Sequence, residues 1–167
     1  MNIFKMKVII LLAALWAILP GCKKSNGAPP AMTATIGDTT YQFTSVANFH
    51  TVIDSIFAFT MERKQSADSS YIFLEFRGAF QLGASIDSHT QPVIFIYSNY
   101  GSMNYQAGGN TAVPGSIEGH MDVVVTAWDS TQHTMAGAFA GWAVPTTPNS
   151  NDSLAVSGNF NTSYIDN

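Results

Sequence analysis

Taken two residues at a time, the last part of the chain separates into two sets. Leu154, Val156, Phe160 and Tyr164 fall on one side, and Ser157, Asn159, Asn161 and Ser163 on the other. A period of two belongs to extended chain, whose successive side chains point to opposite faces; a helix cannot sort them this way. The same alternation places Ile72, Leu74, Phe76 and Phe80 opposite Tyr71, Phe73, Glu75 and Arg77 within Ser70 to Leu82. No long stretch after residue 31 keeps a firm 3.6-residue period, so the chain reads as all-β.

The strands follow one another closely. Met32 to Ile36 and Thr40 to Thr44 flank Gly37-Asp38, the signal of a hairpin. Val46 to Asp54 is open to two readings, because Phe49, Val52, Ile53 and Ile56 also suit a short helix. Ile56 to Arg63 reads as a strand, with a turn at Gln65 to Ser69. Asp87 to Pro92 reads as a loop. Val93 to Ser98 is apolar on both faces, as a central or covered strand would be. Asn99 to Pro114, rich in Gly, Asn and Tyr, has room for one short strand around Met103 to Ala107. Ser116 to Trp128 and Thr134 to Val144 are long strands joined by a turn at Asp129 to His133. Ser153 to Tyr164 closes the chain after a polar loop. Eight or nine antiparallel strands predict a β-sandwich or a partly open barrel. Gly78-Ala-Phe80, Gly137-Ala-Phe139 and Gly158-Asn-Phe160 repeat one spacing, with Gly and Phe on the same face. We read it as a packing device in which glycine leaves room for a neighbouring ring or lets the sheet curve.

The first 31 residues are different. Lys5 and Lys7 precede the apolar run Val8 to Leu19, "VIILLAALWAIL". Twelve residues is the length of a signal-peptide core and too short for a membrane-spanning helix, which takes about 20. Leu19-Pro20-Gly21-Cys22 follows and contains the only cysteine of the chain. One cysteine allows no internal disulfide and no cysteine-based zinc site. The tetrapeptide resembles the bacterial lipobox, a large aliphatic residue three before cysteine and a small one just before it. Pro20 departs from the strict pattern. The resemblance implies cleavage before Cys22 and transfer of diacylglycerol to its thiol, with acylation of the new amine. Two or three acyl chains anchor a protein stably. "KKSNGAPPA", residues 23–31, reads as a flexible tether. The expected division is a signal peptide over 1–21, a lipidated cysteine and tether over 22–31, and one β domain over 32–167.

The C-terminal half, "GSIEGHMDVVVTAWDSTQHTMAGAFAGWAV…LAVSGNFNTSY", resembles small Bacteroidota lipoproteins that carry a β-rich domain of unknown function. Asp129, Gly137, Phe139, Gly158 and Phe160 carry the likeness, and "TATIGDTTYQF" resembles the opening hairpin of that family. The likeness implies a fold and no catalytic residue. In such lipoproteins, export tags to the surface place acidic residues after the cysteine. Lys23 and Lys24 stand there instead, which implies an outer-membrane protein facing the periplasm, with the cell surface as the alternative.

Charge narrows the partners. Beyond residue 25 only Arg63, Lys64 and Arg77 face all 11 acidic side chains, a formal charge of −8. Nucleic acid requires clustered cations to replace phosphate counterions, so we discard it. A metal would find its best stripe at Glu118, His120 and Asp122, which share one face of a strand. The bland reading, an exposed strand end with solvated charge, is the one we expect, with no cofactor. His50, His89 and His133 are isolated in sequence, and the last two fall in turns. Glu62, Glu75 and Glu118 could serve glycoside hydrolysis only if two of them faced one cleft. No Gly-x-Ser-x-Gly nucleophile elbow occurs. Aromatic residues make up 12% of the chain. Tyr71, Phe73, Tyr97, Tyr100, Tyr105, Trp128 and Trp142 are either packing or a ligand platform, and exposure decides between the two. The expectation is a non-enzymatic binding or interaction module, held to the membrane through Cys22. A glycan, a small ligand or an envelope protein is its partner. A carbohydrate- or ligand-binding lipoprotein is the alternative, and a hydrolase a more distant one.

Overall fold

The computed structural model describes residues 31–65, 68–99, 104–109, 119–147 and 152–167. Among them there is no helix. The strands are β1 (Met32–Ile36), β2 (Thr39–Thr51), β3 (Ile56–Gln65), β4 (Asp68–Arg77), β5 (Ser85–Asp87), β6 (Val93–Asn99), β7 (Asn104–Gly109), β8 (Gly119–Asp129), β9 (Thr134–Pro145), β10 (Leu154–Ser163) and β11 (Ile165–Asp166). Eight of them, β1-β2-β3-β4-β6-β7-β9-β10, pair antiparallel around a closed ring, since β10 also pairs β1. The expected all-β architecture is therefore the barrel rather than the sandwich, and it is closed. β5, β8 and β11 are added to this ring.

Closure follows from the alternation. Each strand buries one set of side chains, and curling the sheet lets all those faces meet. Phe43, Phe57, Phe59, Phe76, Phe95, Phe139 and Phe160 point inward beside Met32, Met61, Met121 and Met135, all almost without solvent exposure. An eight-stranded barrel is just wide enough for such side chains to fill. The lumen is packed core, and each buried ring contributes about 1.5–3 kcal/mol.

The repeated Gly-x-Phe spacing is resolved into reciprocal pairs. Phe160 lies opposite Gly137 and Gly158 opposite Phe139 on the β9–β10 ladder. A Cβ on Gly137 would sit 2.4 Å from Phe160 Cζ, and one on Gly158 would sit 2.5 Å from Phe139 Cζ. Each ring therefore covers the backbone of the facing glycine. Gly78 is different: β4 stops at Arg77, and Gly78 turns the chain with φ +90 and open space around it. The strand read through to Leu82 ends five residues earlier for this reason.

β2 also corrects the sequence reading. Val46 to Asp54 holds no helix; the strand runs on to Thr51. A bulge between Ser45 and Ala47 shifts the register against β3, so the buried residues Phe43 and Asn48 are an odd number of positions apart. The helical spacing of Phe49, Val52, Ile53 and Ile56 arises further on, where Val52 and Ile53 are exposed in the β2–β3 turn. Beyond Phe43, β2 has no β1 neighbour. Asn48 Nδ2 reaches Thr162 Oγ1 at 2.6 Å and the Ser163 carbonyl at 3.0 Å, and β11 pairs alongside at Phe49 and His50.

β8 lies against β9 over Gly119 to Asp129, while β7 pairs β9 only at Tyr105–Pro145 and Gln106–Val144. β7 and β8 thus share one edge of β9. The segment containing β5 lies along the outer edge of β8.

Candidate functional site

The side chains that converge belong to this β5–β8 edge. Ser85, Ile86 and Asp87 pair with Val124, Val123 and Asp122. Ile86 is buried, so alternation turns its neighbour Asp87 outward. The chain then reverses. The Asp87 carbonyl accepts from the Thr90 and Gln91 backbone N–H groups, and Asp87 Oδ1 accepts from the His89 N–H at 2.8 Å. This local turn brings the His89 ring onto the same carboxylate, Nδ1 to Oδ1 being 3.1 Å. The His89 backbone N–H, assisted by the His89 side chain, holds the Asp87 carboxyl below the usual carboxylate range and so ionised.

Ser88 points inward and is buried. Its Oγ accepts the Met121 N–H at 2.9 Å and lies 3.2 Å from His120 Nδ1. With one N–H accepted, Oγ still has a proton and a second lone pair for Nδ1, and the His120 tautomer decides which of the two atoms donates. On the other side of the ring, His120 Nε2 is 3.1 Å from Asp122 Oδ2, and Asp122 Oδ1 accepts from Ser85 Oγ at 3.1 Å. His120 Nδ1 lies 3.6 Å from Asp87 Oδ1. The His89 and His120 rings stack with centroids 4.4 Å apart, and Trp142 packs against His120 at 4.8 Å. One donor atom each from Asp87, His89 and His120 lies within 4.8 Å of the others.

His120 and Asp122 share a face and touch, as their spacing on one strand implies. Glu118, the third of that stripe, lies outside the described residues. The sequence reading missed Asp87 and treated His89 as an isolated turn histidine. It does lie in an exposed turn, but against His120. No spacing rule could find them, because β5 to β8 pairing brings them in from a distant part of the chain.

The remaining candidates do not assemble. Glu62 is opposite Tyr71 and accepts its hydroxyl at 2.9 Å, which raises the tyrosine out of its usual range. Glu75 is opposite Ala58 and bonded to Arg77 at 2.8 Å. Four ladder steps between them is roughly 13 Å, wider than a glycosidase pair. His50 and His133 both meet Asp166, at 2.9 and 3.3 Å, but on opposite carboxylate oxygens. Among the aromatics, Tyr97 is buried, whereas Trp128, Trp142 and Tyr71 are exposed; Tyr100 lies outside the described residues. Trp128 caps one barrel end: Nε1 donates to Tyr164 Oη at 2.7 Å, and its ring packs edge-on against Phe57 and Phe80. With His50, Val52 and Phe80 it lines a cleft of about 310 Å³. No family model matches this chain, and neither the curated proteins nor the solved structures searched contain a match.

Proposed function

We propose that the protein is a lipid-anchored cell-envelope barrel that works without catalysis as a binding or interaction module, like the small Bacteroidota lipoproteins its sequence resembles. The carrying observation is the run Val8 to Leu19 followed by Leu19-Pro20-Gly21-Cys22. In this reading Cys22 becomes the acylated first residue, residues 23–31 form the tether, and the barrel faces the periplasm from the outer membrane. The filled lumen supports binding on the outer surface, because a carrier barrel needs an internal cavity. The cleft beside Trp128 favours a second reading, a small ligand with an apolar face. A flat sugar platform suits it less, since the Phe80 and Trp128 rings meet at 60°. Metabolic labelling with palmitate tests the anchor. Label should enter the wild-type chain and be absent from Cys22→Ser; unlabelled wild type would contradict the proposal.

A further inference from the structure

We infer that Asp87, His89 and His120 form a binding site for one divalent transition-metal ion of the zinc class, with Asp122 as the residue that positions His120. The inference does not depend on the lipid anchor.

Two imidazoles and one carboxylate suit a borderline ion such as Zn²⁺, whereas Ca²⁺ and Mg²⁺ take oxygen donors. A tetrahedral ion bound at about 2.1 Å holds its donors roughly 3.4 Å apart. The Asp87 Oδ1 separations of 3.1 Å to His89 Nδ1 and 3.6 Å to His120 Nδ1 bracket that value. The third separation, between the two histidine donors, is within 4.8 Å, so an ion enters when the exposed His89 ring turns out of its stack on His120 and brings its nitrogen closer.

Protonation points the same way. A metal-bound imidazole offers one nitrogen lone pair and usually gives the other N–H to a carboxylate, which fixes the tautomer. His120 already has this arrangement. Nε2 faces Asp122, whose carboxylate only accepts, so the neutral ring carries its proton on Nε2 and its lone pair on Nδ1 toward Asp87; an ion bound there takes that lone pair in place of the Ser88 hydroxyl. Ser85 holds Asp122 in turn. The ring is packed between His89 and Trp142 and is largely buried, so its orientation is set before any ion arrives. At His89 an ion would replace the proton shared with Asp87. Three protein donors leave a fourth position open, as in sites that keep room for water or for a donor from a partner.

The chain contains an internal control. His50, His133 and Asp166 have the same composition, yet their histidines sit on different oxygens of the carboxylate and do not converge.

Calorimetric titration of the purified, metal-stripped protein with Zn²⁺ alone, and absorption spectra with Co²⁺ alone, test the site. One equivalent should bind, and bound Co²⁺ should show the intense visible bands of a four-coordinate ion. His120→Ala and His89→Ala should each abolish that event, while His50→Ala combined with His133→Ala should leave it intact. His89 is exposed, so its variant reports on binding without a risk to folding. Asp122→Asn should weaken Zn²⁺ binding by about 10- to 100-fold at unchanged stoichiometry. No binding by the wild type, or binding that survives His89→Ala, would overturn the site. Binding unchanged in Asp122→Asn would overturn the role given to Asp122.

Discussion

Gly137 and Gly158 show how little freedom single residues have in this barrel. A Cβ at position 137 would meet the Val124 carbonyl at 2.5 Å as well as Phe160, and one at 158 would meet the Thr33 carbonyl at 2.4 Å. Backbone oxygens in a ladder cannot step aside. Gly137→Ala and Gly158→Ala should each cost at least about 2 kcal/mol. Thermal melts should show a fall in Tm of roughly 5 °C or more. Gly78→Ala, with open space and only a positive φ to oppose it, should cost about 1 kcal/mol. The three Gly-x-Phe spacings look alike in sequence. What separates them is which strand lies opposite, and spacing within one segment carries no such information. Tyr97 supplies a residue-scale pH effect. Burial raises its pKa above 10.0, so the folded state keeps a proton that the unfolded state releases first. Stability present below about pH 10 should decline as pH rises beyond it. Tyr97→Phe should decline less over the same range in melts followed by circular dichroism.

Elements were legible wherever alternation ran unbroken. β6, β9 and β10 fall within one or two residues of their sequence-derived limits, and the sorted faces of β10 match the buried and exposed sets. The reading stayed open over Val46 to Asp54, because Val52 and Ile53 are apolar side chains of the β2–β3 turn and extend the apolar pattern past the end of the strand at Thr51. It failed at β5, three residues whose strand character comes from β8 rather than from their own pattern. The candidate site suffered from that failure. His120 and Asp122 were visible together on one strand, but their partners depend on which edge β5 joins. Asn48 plays the comparable part for β2, bonding to β10 where β1 has ended. Asn48→Ala leaves the buried Thr162 without that donor and should cost about 1–3 kcal/mol. Denaturant titration should show it as a lower midpoint with an unchanged slope.

At the scale of the molecule, the barrel has two different ends. The β2–β3 turn, the end of β4, the β8–β9 turn and the end of β10 lie together, as their pairings require. Val52, Ile53, Leu82, Trp128 and Ile165 are exposed there. The Asn161 N–H bonds to the Ala31 carbonyl, so β1 begins on the side of this end. Trp142 and His120 lie eight residues along β9 from Thr134, roughly 27 Å away. If the protein is lipid-anchored, the exposed apolar side chains at the Trp128 end would favour that end at the bilayer and leave the Asp87–His89–His120 edge toward the aqueous side. In vesicles containing brominated lipid, Trp128 fluorescence (in Trp142→Phe) should be quenched more than Trp142 fluorescence (in Trp128→Phe). Equal quenching would contradict that orientation. The intact mass of the mature protein extracted from membranes tests the proposed anchor. The protein should begin at Cys22 and carry diacylglycerol plus an amide-linked acyl chain. A mass that fits an unmodified chain, or one cleaved at any other residue, would contradict it.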